Sequence, residues 1–151
     1  MSVALVLLMV VTGYLVVRGA FANPTSSIGG MTPAGSTIFP SMDLLGFLVF
    51  YVLALLNRKN GAAHKRLMVL AGLMMLPPAT ARRGLAIGFE PLPGVAALAI
   101  AGTFLIYDWR ARGKPHWASM LGLVVAAGGA PLSFIVGRSE GWARFAEAIY
   151  G

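Results

Sequence analysis

HKRLMVLAGLMMLPPATARR, residues 64–83, opens on a basic cluster containing a histidine, runs through apolar residues, meets two consecutive prolines and closes on two arginines. Read as one straight helix, His64 and Arg82 lie eighteen positions apart, which is five full turns, so they share a face with Met68 and Met75. At about 1.5 Å per residue the two ends are roughly 27 Å apart, close to one hydrocarbon thickness. Charge at both ends therefore marks two membrane surfaces. Pro77 and Pro78 remove backbone donors near the far end and predict a kink there, which re-aims Arg82 and Arg83.

The composition supports that reading. Of 151 residues 58% are hydrophobic and only 11% charged, with a mean hydropathy of +0.78. A soluble domain carries about 25% charged residues because water must wet its surface. With charge so scarce, much of this surface faces lipid. The chain has no cysteine, which excludes disulfides, thiolate metal sites and a cysteine nucleophile. A net charge of +7 could suggest nucleic acid, but the basic residues fall in short clusters between apolar runs, which suits membrane orientation instead.

Apolar runs at 2–17, 42–56, 67–81, 92–107 and 117–136 predict about five transmembrane helices in a single integral domain, 1–151. The second is the weakest, because Asp43 sits just inside it. Arg58, Lys59, Lys65 and Arg66 lie between runs two and three, and Arg110, Arg112 and Lys114 between runs four and five. The opposite side holds Arg18, Arg82, Arg83, Arg138 and Arg144, offset by Asp43, Glu90, Glu140 and Glu147. The positive-inside rule then puts the 57–66 and 108–116 loops in the cytoplasm, the N-terminus inside and the C-terminus outside.

The first run ends on Ala20-Phe21-Ala22, a signal-peptidase-like triplet, but no basic residue precedes it and Arg18 sits close to the triplet. A retained helix is the expectation. Residues 18–41, rich in Gly, Pro, Ser and Thr, read as an external loop whose Gly-Gly lacks the setting of a phosphate cradle. Ser139 can cap a short amphipathic helix at the C-terminus, with Trp142, Phe145, Ala146 and Ile149 on one face. Such a helix lies in the outer interface or frays.

Candidate site residues are few. A carboxylate near lipid is costly unless paired, so Asp43 with Arg82 or Arg83 is the natural ion pair, read as a staple between helices or as a polar site near the outer face. His64 and His116 enter the same leaflet from different helices, the minimum for bis-histidine haem b ligation. Alternatively, both contact headgroups or cap helices in basic loops. Asp108 is expected to pair with Arg110, Arg112 or Lys65. No G-x-S-x-G, H-E-x-x-H or paired carboxylates on one helix face are present. Ser119 and Ser133 read as packing residues, as do Gly122, Gly128 and Gly129 with Ala126, Ala127 and Ala130. Met68, Met74 and Met75 do not converge on one face, so core packing explains them better than copper.

The pattern HKRLM-x-LA-x-L-x-x-LPPA-x-x-R, preceded by the Asp43-containing span ending in NRKN, resembles a group of uncharacterised bacterial multi-span membrane proteins with an H-[KR]-R-[LW]-M motif opening a helix. RGKPHWA and GWARFAEAIYG are similar to later elements of that group, so the resemblance covers most of the chain. It implies a bacterial cytoplasmic (inner) membrane location and further N-terminal membrane sequence with another histidine, relative to which this chain starts late.

The expectation is therefore an all-α, polytopic helical membrane bundle, non-enzymatic, with no resident cofactor. It is a subunit or partner of a larger assembly, or a homo-oligomer, through its Gly/Ala-rich fifth span, and it binds no nucleic acid. The alternative is a redox protein binding haem b or quinone through His64 and His116. A transporter fits less well, since no internal repeat or second broken helix matches the third span.

Overall fold

The computed structural model of the chain describes residues 3–23, 30–89 and 91–151, with the side chains of Val3, Leu5, Arg82 and Leu85 outside that description. Among the described residues the fold is all-helical: α1 (Val3–Ala22), α2 (Pro33–Ser36), α3 (Ile38–Leu56), α4 (Gly61–Leu73), α5 (Pro77–Ala86), α6 (Leu92–Arg112), α7 (Trp117–Gly137) and α8 (Glu140–Tyr150). Three stretches among the described residues are long and apolar enough to cross a membrane: Pro33–Leu56, Leu92–Arg112 and Trp117–Gly137. The apolar Val6–Ala22 portion of α1 is just shorter.

The expected second span is longer than its apolar run. Thr32 caps α2, its Oγ1 accepting the Gly35 amide at 3.1 Å, and Pro33 follows in the first turn, where its missing N–H is no loss. Pro40 likewise falls in the first turn of α3. Hydroxyls that suggest a loop by composition bond their own helix instead: Ser36 Oγ to Thr32 O, Thr37 Oγ1 to Ala34 O and Ser41 Oγ to Thr37 O, at 3.1, 2.6 and 2.6 Å. The loop expected at 18–41 is thus corrected at both ends, since α1 runs to Ala22 and helix resumes at Pro33; residues 24–29 lie outside the described set. Asp43 consequently sits ten residues, roughly 15 Å, along the Pro33–Leu56 stretch rather than at its outer start.

The 64–83 stretch is broken, not kinked. α4 stops at Leu73 and α5 starts at Pro77, because the two prolines cannot donate to the carbonyls of Leu73 and Met74 and crowd them. The chain crosses the gap in tight turns, with Met75 N bonded to Gly72 O and Leu76 N to Leu73 O, both at 3.1 Å. His64 and Arg82 therefore stand on different helices, and the shared face expected of one straight helix does not exist. α5 ends in a Schellman motif: Gly88 takes φ +70° and the Phe89 amide donates to Gly84 O at 2.8 Å, turning the chain back so that α5 packs on α6.

Two compact units divide the chain: Met1–Leu44 with Pro131–Gly151, and Leu45–Ala130. In the first, α8 is a formed helix docked on α1 and α2. Ser139 caps it through the Trp142 amide, Trp142 Nε1 donates to Ala34 O at 3.2 Å, and Tyr14 OH donates to Ile149 O at 3.1 Å. Tyr150 OH lies 2.9 Å from Ser41 Oγ. The face toward α1 and α2 is Trp142, Ala146 and Tyr150, while Phe145 and Ile149 of the expected apolar face are 49% and 41% exposed. Gly35 and Gly137 approach closely: a Cβ on Gly35 would meet Gly137 O at 2.6 Å, so the turn into α8 is seated directly on α2.

The core of the second unit is Phe47, Phe50, Ala54, Leu67, Leu70, Ala71 and Met74, with Ala101 and Ala118 from α6 and α7. Close approach is set by glycine: a Cβ on Gly122 would meet Leu70 Cδ2 at 2.4 Å, and one on Gly46 would meet Met74 Sδ at 2.8 Å.

Candidate functional site at Asp108

Three helix ends of the second unit are pinned by one carboxylate. α6 finishes at Arg112, stopped by Gly113 in the left-handed region at φ +69°, and α7 restarts after Lys114-Pro115. That short turn brings α7's first residues back beside the last turns of α6. Asp108 is fully buried and accepts from three directions. Its Oδ1 receives the Arg66 guanidinium of α4; its Oδ2 receives Ser119 Oγ at 2.5 Å and the His116 amide at 3.1 Å. Arg66 also donates to Ala62 O at 3.0 Å.

This corrects the sequence expectation, which paired Asp108 with Arg110, Arg112 or Lys65. The reason is helical phase. Ala63, Leu67 and Leu70 form the buried face of α4, and Arg66 falls among them at three- and four-residue spacings while Lys65 falls outside and is exposed. Arg110 and Arg112 are both exposed on α6's last turn. Ser119, expected only to pack, is a donor to the carboxylate. With both oxygens engaged, Asp108 is a fixed anion that holds α4, α6 and α7 together.

The two histidines are held differently. His64 Nδ1 lies 2.7 Å from Ala54 O, and since a carbonyl only accepts, Nδ1 carries a proton, which in the neutral ring leaves the lone pair on Nε2. His116 is the residue before α7, and its Nδ1 accepts the Ala118 amide at 3.2 Å, so the imidazole caps the helix and Nε2 holds the proton. Burial, then the positive charge of Arg66, pushes the His116 pKa down; Asp108 opposes that and Arg112 adds to it.

For Asp43 with Arg82 or Arg83, the Arg82 side chain lies outside the described residues, and Asp43 and Arg83 belong to different units. Their pairing remains a proposal. No protein family, curated protein or solved structure matches the chain.

Proposed function

We propose that the chain is a five-pass integral membrane protein of the bacterial inner membrane that works as a subunit or self-associating partner rather than as an enzyme. The passes are α1, α2–α3, the broken α4–α5, α6 and α7, with the N-terminus inside. The resemblance carried by HKRLM and its flanking motifs supports the bacterial assignment. The observation that carries the partner role is the open small-residue surface of α7. Ala127, Gly128 and Ala130 are exposed, and a Cβ on Gly128 or Gly129 would meet nothing within 4 Å. In lipid such a surface lets a second helix approach closely. The absence of native cysteine allows a direct test. Ala127→Cys in native membranes is expected to give an oxidatively cross-linked dimer or a discrete hetero-adduct, lost on adding Gly128→Leu. A monomer under all oxidising conditions would remove the partner role.

The redox alternative has one observation in its favour: a backbone carbonyl holds His64 by Nδ1–H, the orientation that leaves Nε2 of the neutral ring as the ligating nitrogen. His116 as held here presents Nε2–H, so ligation would need it to release the α7 cap. Purified protein is expected to show no Soret band. A stoichiometric haem spectrum abolished by His64→Ala or His116→Ala would replace the leading reading with this one.

A further inference from the structure

Along α4 and α6, within the second unit, lies an open groove in two parts that share Val69. The first, about 430 Å³, has Lys65, Arg66, Tyr107 and Arg112 at its mouth and Val69 and Phe104 below them. The second, about 370 Å³, continues from Val69 past Gly72 of α4, Leu76 of the turn after it and Ile100 of α6, and no titratable side chain lines it. Arg66 is committed to Asp108. Lys65 and Arg112 are exposed and, among the described residues, neither has a carboxylate partner, since the described salt bridges are Arg66–Asp108 and Arg144–Glu140.

The polarity is therefore divided along the groove, cationic at one end and apolar for the rest. Its dimensions follow from helix geometry. Lys65, Val69 and Gly72 trace one lane of α4 at spacings of four and three, a rise of roughly 10 Å, and Leu76 follows in the turn beyond the helix. Phe104 and Ile100 lie about one turn apart on α6, and Arg112 stands eight residues beyond Phe104 in the last turn, a rise of roughly 18 Å from Ile100. The acyl region of one leaflet is half of a hydrocarbon core of about 30 Å. Gly72 keeps the lower part open, since a Cβ there would meet nothing within 4 Å.

We propose that this groove binds one anionic phospholipid, its phosphate between Lys65 and Arg112 and one acyl chain along Val69, Gly72, Leu76, Phe104 and Ile100. The inference rests on the membrane reading. Two cations with no carboxylate partner among the described residues complement a headgroup of net negative charge; a zwitterionic headgroup would bring its own ammonium to the same cationic mouth.

The test uses the full chain purified from membranes into detergent and incubated with equal phosphatidylglycerol and phosphatidylcholine, with retained lipid counted by native mass spectrometry. One phosphatidylglycerol per chain is expected, preferred at least tenfold. Lys65→Gln with Arg112→Gln should bring the preference close to one, and Lys65→Arg should keep it. Arg58→Gln with Lys59→Gln, which removes cations outside the groove, should also keep it. Gly72→Phe should lower retention of both lipids by filling the acyl lane. Equal retention by the wild type, or equal loss in the groove and control variants, overturns the proposal. Competition by chain-free glycerophosphoglycerol at the same concentration overturns it too, because the occupant would then be a soluble anion. A chain extracted from membranes by alkaline carbonate would fail the membrane reading itself, whereas one that stays embedded without lipid preference fails only this proposal.

Discussion

Arg66 and Asp108 lie forty-two residues apart in the chain and form a salt bridge in which the carboxylate is fully buried and the guanidinium nearly so. Removing one partner strands the other. Asp108→Asn leaves Arg66 uncompensated and is expected to destabilise the detergent-solubilised protein by about 3 kcal/mol, the lower end for a broken buried pair because Arg66 keeps some access to solvent. Replacing both, Arg66→Met with Asp108→Leu, should recover much of that loss. An unchanged thermal midpoint in Asp108→Asn would show that the pair contributes nothing.

Ser119→Ala removes a hydroxyl bonded to the same carboxylate at 2.5 Å. A hydrogen bond to a charged group is worth about 1.5–3 kcal/mol. In an Asp108→Asn background the cost should shrink, since both residues belong to one network. Strict additivity in the double-mutant cycle would mean that the hydroxyl acts alone.

Glycines of this chain should differ sharply in tolerance. Gly35→Ala drives a Cβ against the Gly137 carbonyl, a backbone atom that cannot step aside, and should cost about 1–3 kcal/mol. Gly128→Ala meets open space on α7 and should be neutral or stabilising by up to about 1 kcal/mol. Thermal unfolding of the two variants in one detergent compares them directly; equal effects would contradict the seating of α8 on α2.

His116 titrates below its ordinary 6.5 in the folded chain, held neutral by burial and by Arg66 and Arg112 against the opposing pull of Asp108. As pH falls through that value the unfolded chain takes up the proton first, so stability is full above about pH 6.5 and declines below it. Thermal midpoints taken from pH 7.5 to 5.5 should drop, and His116→Gln should flatten that part of the slope. A slope unchanged by the substitution would assign it to other groups.

Reporter fusions after Lys59 and Lys114 are expected to read cytoplasmic, and fusions after Gly30 and at Gly151 external, as the basic loops require. Readings reversed at Lys59 and Lys114 would overturn the proposed orientation.

Sequence alone determined that the chain is helical and apolar enough to enter a membrane, because charge scarcity and long apolar runs are properties of composition that no packing reverses. It marked the sixth and seventh helices, the Ser139 cap of α8 and a disruption at Pro77-Pro78, each a local signal. It misjudged where local chemistry had two outlets. The hydroxyls and prolines of residues 32–41 suit a loop, yet with Thr32 as a cap they also suit a helix start, and the helix prevailed. Only the tertiary structure decided which cation meets Asp108. Seven basic residues lie within a few positions of the turns at that end of the helices, and composition cannot rank them. Helical phase points Arg66 inward with Leu67 and Leu70 and leaves Lys65 and Arg112 facing out. The tight Gly113–Pro115 turn then delivers Ser119 and the His116 amide to the same carboxylate, a convergence that depends on backbone direction in space rather than on any spacing along the chain.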